Sequence, residues 1–326
     1  MSGPDTATAE VRLAVRSMLA ECASGDLVLV ACSGGADSLA LAAATAFEAP
    51  RHEVRAGAVL VDHGLQGESG RIVEEAAGSC RRLGLDPVDV ARVEVRPGSR
   101  GLEDAARQSR YDALSAAASR RSARFVLLGH TLDDQAEQVL LGLTRGAGAR
   151  SLAGMPRVRD RFRRPLLGVS RARTRASCAA LGLEFWDDPM NEDRAFTRVR
   201  ARAALVDLER DLGPGVAAAL ARSADLLRED ADLLDSLADE AVSALGTGPW
   251  AVGDLDALPR AVRTRVWRRL ALAAGAPAGQ LSTRHTEACD ALLTRWHGQG
   301  AVSLPGPLRA TRSGGRVSIA APDPVE

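Results

Sequence analysis

Four short apolar runs, DLVLVAC (26–32), AGAVLVD (56–62), VDVARVEV (88–95) and RFVLLGH (124–130), alternate with helical patterns at 38–47, 68–83 and 102–120, and another helical pattern at 132–143 follows the fourth run. This alternation constrains the fold more than any other feature. Parallel neighbours cannot be joined by a tight turn and need a crossover, usually a helix. The chain is therefore expected to be α/β, built on a doubly wound parallel sheet. Such sheets take ligands beyond the C-terminal ends of their strands. The two most unusual turns, after Cys32 and around His130, both fall at such ends.

A length of 326 residues suggests a second domain. The composition changes over 150–175, where nine Arg face a single acid, Asp160, and a second basic run, RAFTRVRAR, covers 194–202. A long helical stretch follows Pro214, with an acidic segment over 225–240. After GTGP (246–249) come the Arg-rich PRAVRTRVWRRL and LRATRSGGRVSI, the latter a hairpin around Ser-Gly-Gly. The expected division is residues 1–210 and a smaller, mostly helical α+β domain over 211–326.

Apolar residues make up 46% of the chain and aromatics only 3%, so Leu, Val and Ala must fill the core. Net charge is zero, so any basic footprint for nucleic acid is local. All 42 basic residues are Arg. Without Lys the chain can form neither a Walker A phosphate loop nor a Schiff-base site. Cys22, Cys32, Cys80, Cys178 and Cys289 lie far apart with no C-x-x-C, which disfavours zinc, iron–sulfur and disulfide frameworks. The N-terminus lacks a signal-peptide pattern, and no apolar run reaches the roughly 18 residues of a membrane span. A reduced, cytoplasmic chain with no membrane partner is expected.

At Ser33–Ser38 the first apolar run ends in S-G-G-A-D-S. Gly34 and Gly35 permit positive φ and close approach of a ligand to the backbone. The following helix aims its N-terminal N–H groups and positive dipole end at that ligand, and Ser33 and Ser38 add hydroxyls. The result is a phosphate cradle that needs no Lys. Asp37 would repel phosphate unless Mg²⁺ bridges the two; the plainer alternative is that it caps the helix. In GHTLDDQAEQ (129–138), Asp133, Asp134 and Glu137 crowd one turn, where like charges repel by about a few tenths of a kcal/mol per pair. Either they form a cation site, for a metal or an ammonium, or they simply favour a helix N-terminus. His130 is a candidate contact for nucleotide or RNA. In LEDAARQSRYDAL (102–114), Arg107 and Arg110 share a face with Glu103 and Asp104. They mark a functional site or an exposed salt-bridged helix. Arg198, Arg200 and Arg202 form an RNA contact or a solvated basic face. Trp186, Trp267 and Trp296 could stack on bases, with core packing the plainer alternative.

These motifs, in this order, resemble the tRNA(Ile)-lysidine synthetase family of N-type (PP-loop) ATP pyrophosphatases: SGGADS, VDHGLQGES (61–69), ARQSRY (106–111), GHTLDDQAEQVLLGLTRGAG (129–148), RPLL (164–167), DPMNEDRAFTRVRAR (188–202) and GQGAVSLPG (298–306). The resemblance covers 28–203 well and the rest loosely. It implies ATP-dependent ligation of free L-lysine to C2 of the wobble cytidine of a tRNA(Ile) with a CAU anticodon, through an adenylated tRNA. It places Ser33, Gly34, Gly35, Ala36, Asp37 and Ser38 on ATP. Asp37 serves Mg²⁺, with Asp134 a second candidate. Asp37, Arg110, Asp134, Glu137 and Arg202 carry the chemistry, and His63, Arg107, His130 and Asp133 face the substrates. The chain departs from the family pattern at Gln66, Thr131, Gln138, Val199 and Ala203, which bears chiefly on RNA contacts. Residues 215–326 are left to supply tRNA contacts that the basic segments do not, and a homodimer is allowed but not required. The rivals are another PP-loop enzyme, such as a tRNA thiolase or an amidating enzyme, and a non-catalytic ATP-binding module. A thiolase usually wants paired cysteines.

Overall fold

A computed structural model describes residues 4–62, 64, 69–93, 102–146 and 148–321, and no side chain at 102–104 or 191. The chain divides into two compact units between Asp225 and Leu226. The first holds α1 (Thr6–Leu19), β1 (Leu27–Ala31), α2 (Ala36–Glu48), β2 (Arg55–Asp62), α3 (Ser69–Arg82), β3 (Val88–Arg92), α4 (Leu102–Arg120), β4 (Phe125–Leu128), α5 (Leu132–Thr144), α6 (Ala149–Leu152), β5 (Val158–Arg159), β6 (Phe162–Arg163), α7 (Arg171–Ala180) and α8 (Thr197–Leu212). Its sheet runs β3-β2-β1-β4-β6-β5, parallel except for β5. Strand order reverses between β1 and β4, which opens a crevice at their C-terminal ends.

The strands read as continuous apolar runs because both faces are covered. Val28, Val30, Phe125 and Leu127 pack with α1, α2 and α7 through Val11, Val15, Leu39 and Cys178. Leu27, Leu29, Val126 and Leu128 pack with α4 through Leu114 and Ala117. The four expected strands and the helices between them form as the spacing predicts. The β5–β6 hairpin is an addition, in the Arg-rich stretch with no apolar period to announce it.

A 30-residue helix, α9 (Val216–Leu245), runs through the division between the units. The spacing placed the boundary at 210/211, beside the Gly213–Pro214–Gly215 break that separates α8 from α9. That break marks where a helix begins, whereas packing changes hands within the helix. The second unit adds β7 (Trp250–Ala251), α10 (Val252–Asp256), α11 (Arg260–Ala273), α12 (Thr283–Thr294), β8 (Val302–Leu304), β9 (Leu308–Ser313) and β10 (Arg316–Ala320). Its antiparallel sheet, β7-β10-β9-β8, packs with the helices around buried Trp267. The hairpin turns on Gly314 and Gly315, both at positive φ, as a two-residue loop requires. Among the described residues no helix is long and apolar enough to cross a membrane.

Candidate active site

The phosphate-loop candidates lie at the C-terminal end of β1. Gly34 adopts φ +85°, and a Cβ there would also meet Ala76 Cβ at 3.1 Å. Gly35 then caps α2 with no side-chain hydrogen bond, so backbone N–H groups of the first turn are left to a ligand. Ser38 is buried, and its hydroxyl is spent inside the loop. It accepts from Ser33 N at 3.1 Å and donates to Gly35 O at 2.9 Å. Ala36 and Asp37 open the helix. Asp37 does not cap it; its carboxylate accepts from the Thr174 hydroxyl and lies 3.6 Å from Arg171 Nε. Burial holds its carboxyl above the usual range, against the pull of Thr174 and Arg171.

The second turn comes alongside because residue 129 is Gly: a Cβ there would sit 3.2 Å from the backbone of Asp37 and Ser38. Thr131 caps α5, and Asp134 Oδ2 returns the bond, accepting from Thr131 N at 2.8 Å and from its hydroxyl at 3.0 Å. Thr131, one of the departures from the family pattern, thus completes a capping box. The crowded acids do not repel unrelieved. Arg171 Nη2 donates to Asp134 Oδ1 at 2.8 Å and to Glu137 Oε1 at 3.4 Å, and Arg202 Nε reaches the same Glu137 oxygen at 2.9 Å. Asp133 Oδ2 accepts from Arg171 N at 2.7 Å. Burial opposes ionisation of Asp134, but the Arg171 charge and the Thr131 bonds outweigh it and hold the carboxyl below its usual range.

Arg110, on α4, faces the same crevice and has neither an ion pair nor a hydrogen bond among the described residues. Burial lowers its pKa. A desolvated cation without a counterion marks a place for an anion. His130 stands beside it with Nδ1 buried and unbonded, and burial pulls its pKa down to about 3, so the ring is neutral at pH 7. Arg107 is exposed and lies 5.3 Å from the Tyr111 ring centre. His63 and Gln66 lie outside the described residues, as do the side chains of Glu103 and Asp104.

A cavity of about 770 Å³ joins the two turns; Ser33, Gly35, Asp37, Arg110, His130 and Asp134 all line it. A mostly apolar neighbour of about 270 Å³ is lined by Val59, Val61, Ile72, Leu114, Trp186 and Met190 among others. Trp186 borders both and is pinned by its backbone N–H, which donates to Gly34 O at 3.0 Å. Of the other two tryptophans considered as base-stacking candidates, Trp267 is core, and Trp296 is exposed with Arg312 5.1 Å from its ring centre.

Arg161, Arg163 and Arg164, from the Arg-rich stretch over 150–175, are bonded within the domain. Arg164 is 1% exposed and donates to Pro156 O and the Tyr111 hydroxyl. Arg163 pairs with Glu21 and stacks over Phe125, and Arg161 donates to Ser115 O and Ser119 Oγ. The hairpin folds these guanidinium groups onto the domain, where unpaired carbonyls and ring faces take them. Among Arg198, Arg200 and Arg202, the second is bound to Arg194 O and Ala195 O and the third to Glu137. Arg198 lines the cavity with no partner among the described residues. Arg171 and Thr174, both on α7, were missed. They sit in GVSRARTRAS, whose only local signal is Ser170 as a helix cap.

The chain matches the family model described as a PP-loop domain over residues 8–209 and that described as a TilS substrate binding domain over 251–318. It is 53% identical to a tRNA(Ile)-lysidine synthase of Thermobifida fusca, with 98% of this chain and 100% of that one covered. It is 52% identical to a tRNA(Ile)-lysidine synthase of Streptomyces coelicolor, with 97% and 99% covered. Among solved structures, the U34-tRNA thiolase NcsA from Methanococcus maripaludis with its [4Fe-4S] cluster superposes with a TM-score of 0.59 at 19% identity, covering 68% of this chain and 80% of that one. That likeness speaks for the fold alone.

Proposed function

The chain belongs to the tRNA(Ile)-lysidine synthase family, and from that premise we propose that it ligates lysine to C2 of the wobble cytidine of a CAU-anticodon tRNA(Ile), at the expense of ATP. The observation that carries this reading is that the phosphate loop and Asp134, the member of the acidic turn nearest it, open into one cavity. Two half-reactions can then share one bound cytidine. The product pairs with A rather than G, so the tRNA passes from methionine to isoleucine identity. The second unit, matched by a substrate-binding model, takes part in holding the tRNA. With ATP and tRNA as substrates, the cytoplasm is its place of work.

The cytosine C2 carbonyl is amide-like and a poor electrophile. Attack of its oxygen on the α-phosphorus of ATP forms an adenylate, and pyrophosphate leaves with the electron pair. The backbone N–H groups at Gly35 and Ala36, the Ser33 hydroxyl and Arg110 stabilise the charge that develops. The apolar cavity beside Trp186 suits the adenine. The side-chain amine of lysine then attacks C2, the C2–O bond breaks, and AMP departs. Asp134 and Glu137 bind the ammonium, and a carboxylate of this cluster takes the proton that must leave before the nitrogen can attack. Neutral His130 and unpaired Arg198 face the nucleotide and the RNA.

Asp37 fits Mg²⁺: it is a hard oxygen donor at the cradle, and among the described residues no group of three or more His, Cys, Asp or Glu forms a protein cage. Mg²⁺ is commonly held by one or two carboxylates plus substrate phosphates and waters. When bound, the ion would neutralise phosphate charge. The test is pyrophosphate release with and without tRNA(Ile) and lysine, with nucleoside mass spectrometry for lysidine. Release that ignores the tRNA, or a modified nucleoside carrying sulfur, would refute the proposal.

A further inference from the structure

One side chain reaches three carboxylates at the crevice, of which Asp37 and Asp134 line the cavity. Arg171 bonds Asp134 at 2.8 Å and Glu137 at 3.4 Å through its terminal nitrogens, and its Nε lies 3.6 Å from Asp37. Its backbone N–H holds the fourth acid, Asp133, at 2.7 Å. The same turn of α7 carries Thr174, whose hydroxyl donates to Asp37. The turn is itself anchored: Ser170 Oγ accepts from Arg173 N at 3.4 Å, and Thr174, Ser177 and Cys178 are buried. Asp37 belongs to the loop that receives the nucleotide. Asp134 and Glu137 belong to α5, on the side assigned to lysine. Arg171 therefore stands between the group that activates C2 and the groups that present the amine.

We propose that Arg171 is a positioning residue for the lysine-transfer step. The inference rests on the function proposed above. A guanidinium is a planar fork with donors at fixed angles, so it sets the mutual orientation of the acids it binds; an ammonium is a point charge and cannot. The bond to Asp134 is the shortest, and Asp37 keeps Thr174 without it. Loss of Arg171 therefore falls on the amine side. The acids still attract lysine, since among the described residues the four carboxylates meet two bound arginines, Arg171 and Arg202. What is lost is the angle and distance of attack, where about 1 Å of misplacement costs on the order of 100-fold.

The test uses the full-length chain with R171Q, R171K and R171A, tRNA(Ile), ATP and lysine. Lysine binding is read by calorimetry, melting by scanning calorimetry, and the two half-reactions by pyrophosphate release and by lysidine formation from adenylated tRNA. In R171Q we expect kcat for transfer to fall about 100-fold, with lysine affinity and pyrophosphate release within about fivefold. Adenylated tRNA then accumulates. R171K should fare no better, and millimolar guanidinium should restore part of the transfer rate to R171A. Three results would each overturn the role: transfer within about threefold of the parent in R171Q; a lower KM for lysine at unchanged kcat, which makes Arg171 a competitor of lysine; or an equal loss in both half-reactions. A fall in melting temperature with full rescue by R171K would make the residue structural only. If the parent itself shows no lysine-dependent transfer, the proposed function falls first.

Discussion

Arg110 gives a prediction with two effects of opposite sign. Its guanidinium is partly buried at the phosphate loop and has no ion pair or hydrogen bond among the described residues. Without a ligand it costs stability; with a nucleotide bound it gains a phosphate. Replacing it with Met keeps the packing of the side-chain stem and removes the charge. Relieving the desolvation should stabilise the free protein by about 1–2 kcal/mol, a rise of about 2–8 °C in melting temperature for a domain of this size. Losing a charge-assisted hydrogen bond should cost about 1.5–3 kcal/mol of nucleotide binding, or roughly 10- to 100-fold in affinity. Scanning calorimetry with and without a non-hydrolysable ATP analogue measures both, because the ligand-induced shift shrinks as affinity falls. If R110M melts below the parent without nucleotide, or binds the analogue as tightly, Arg110 is paired in some way the cavity does not suggest.

D37A should abolish pyrophosphate release and leave tRNA binding nearly intact, as filter binding and a pyrophosphate assay can show; full turnover would remove its role toward metal and phosphate. E137Q should slow lysine use more than adenylation, leaving adenylated tRNA for mass spectrometry to detect. R161A/R163A/R164A should lower the melting temperature without flattening the salt dependence of tRNA binding, because those side chains are bonded within the domain. R198A should reduce the salt slope by about one unit or less. His130 titrates near 3 in the fold and near 6.5 when unfolded. A folded pKa below the unfolded one gives stability that is present above about pH 6.5 and lost as pH falls toward the folded value. H130N should therefore lose less stability than the parent between pH 7 and 4, and pyrophosphate release should show no inflection from this residue near neutrality.

The phosphate loop could be read from residues 28–41 because each of its determinants is local. A buried strand announces itself by an unbroken apolar run, Gly34 by the φ that the turn demands, and α2 by its period. The acidic turn at 133–137 was equally visible, but its meaning was open. A helix N-terminus and a cation site ask for the same residues, and the choice depends on which charge is brought near.

That charge comes from Arg171, 34 residues beyond Glu137, and from Arg202, 65 residues beyond it. Neither distance leaves a trace in spacing or composition. The nine arginines over 150–175 show the converse. Their density suggested a surface for RNA, yet Arg161, Arg163 and Arg164 are turned inward by a two-stranded hairpin that no apolar period foretold.

The sequence by itself determined the parallel sheet, the glycine turn at the head of α2 and the position of the acids, since hydrophobic period, backbone freedom and helix capping act over a few neighbouring residues. Only the tertiary structure decided which arginines are spent on carboxylates and carbonyls and which, like Arg110 and Arg198, stay open to a ligand. Charge pairing is settled by proximity in space, and strand order set that proximity when it placed β1 beside β4 and carried α7 and α8 to the crevice between them.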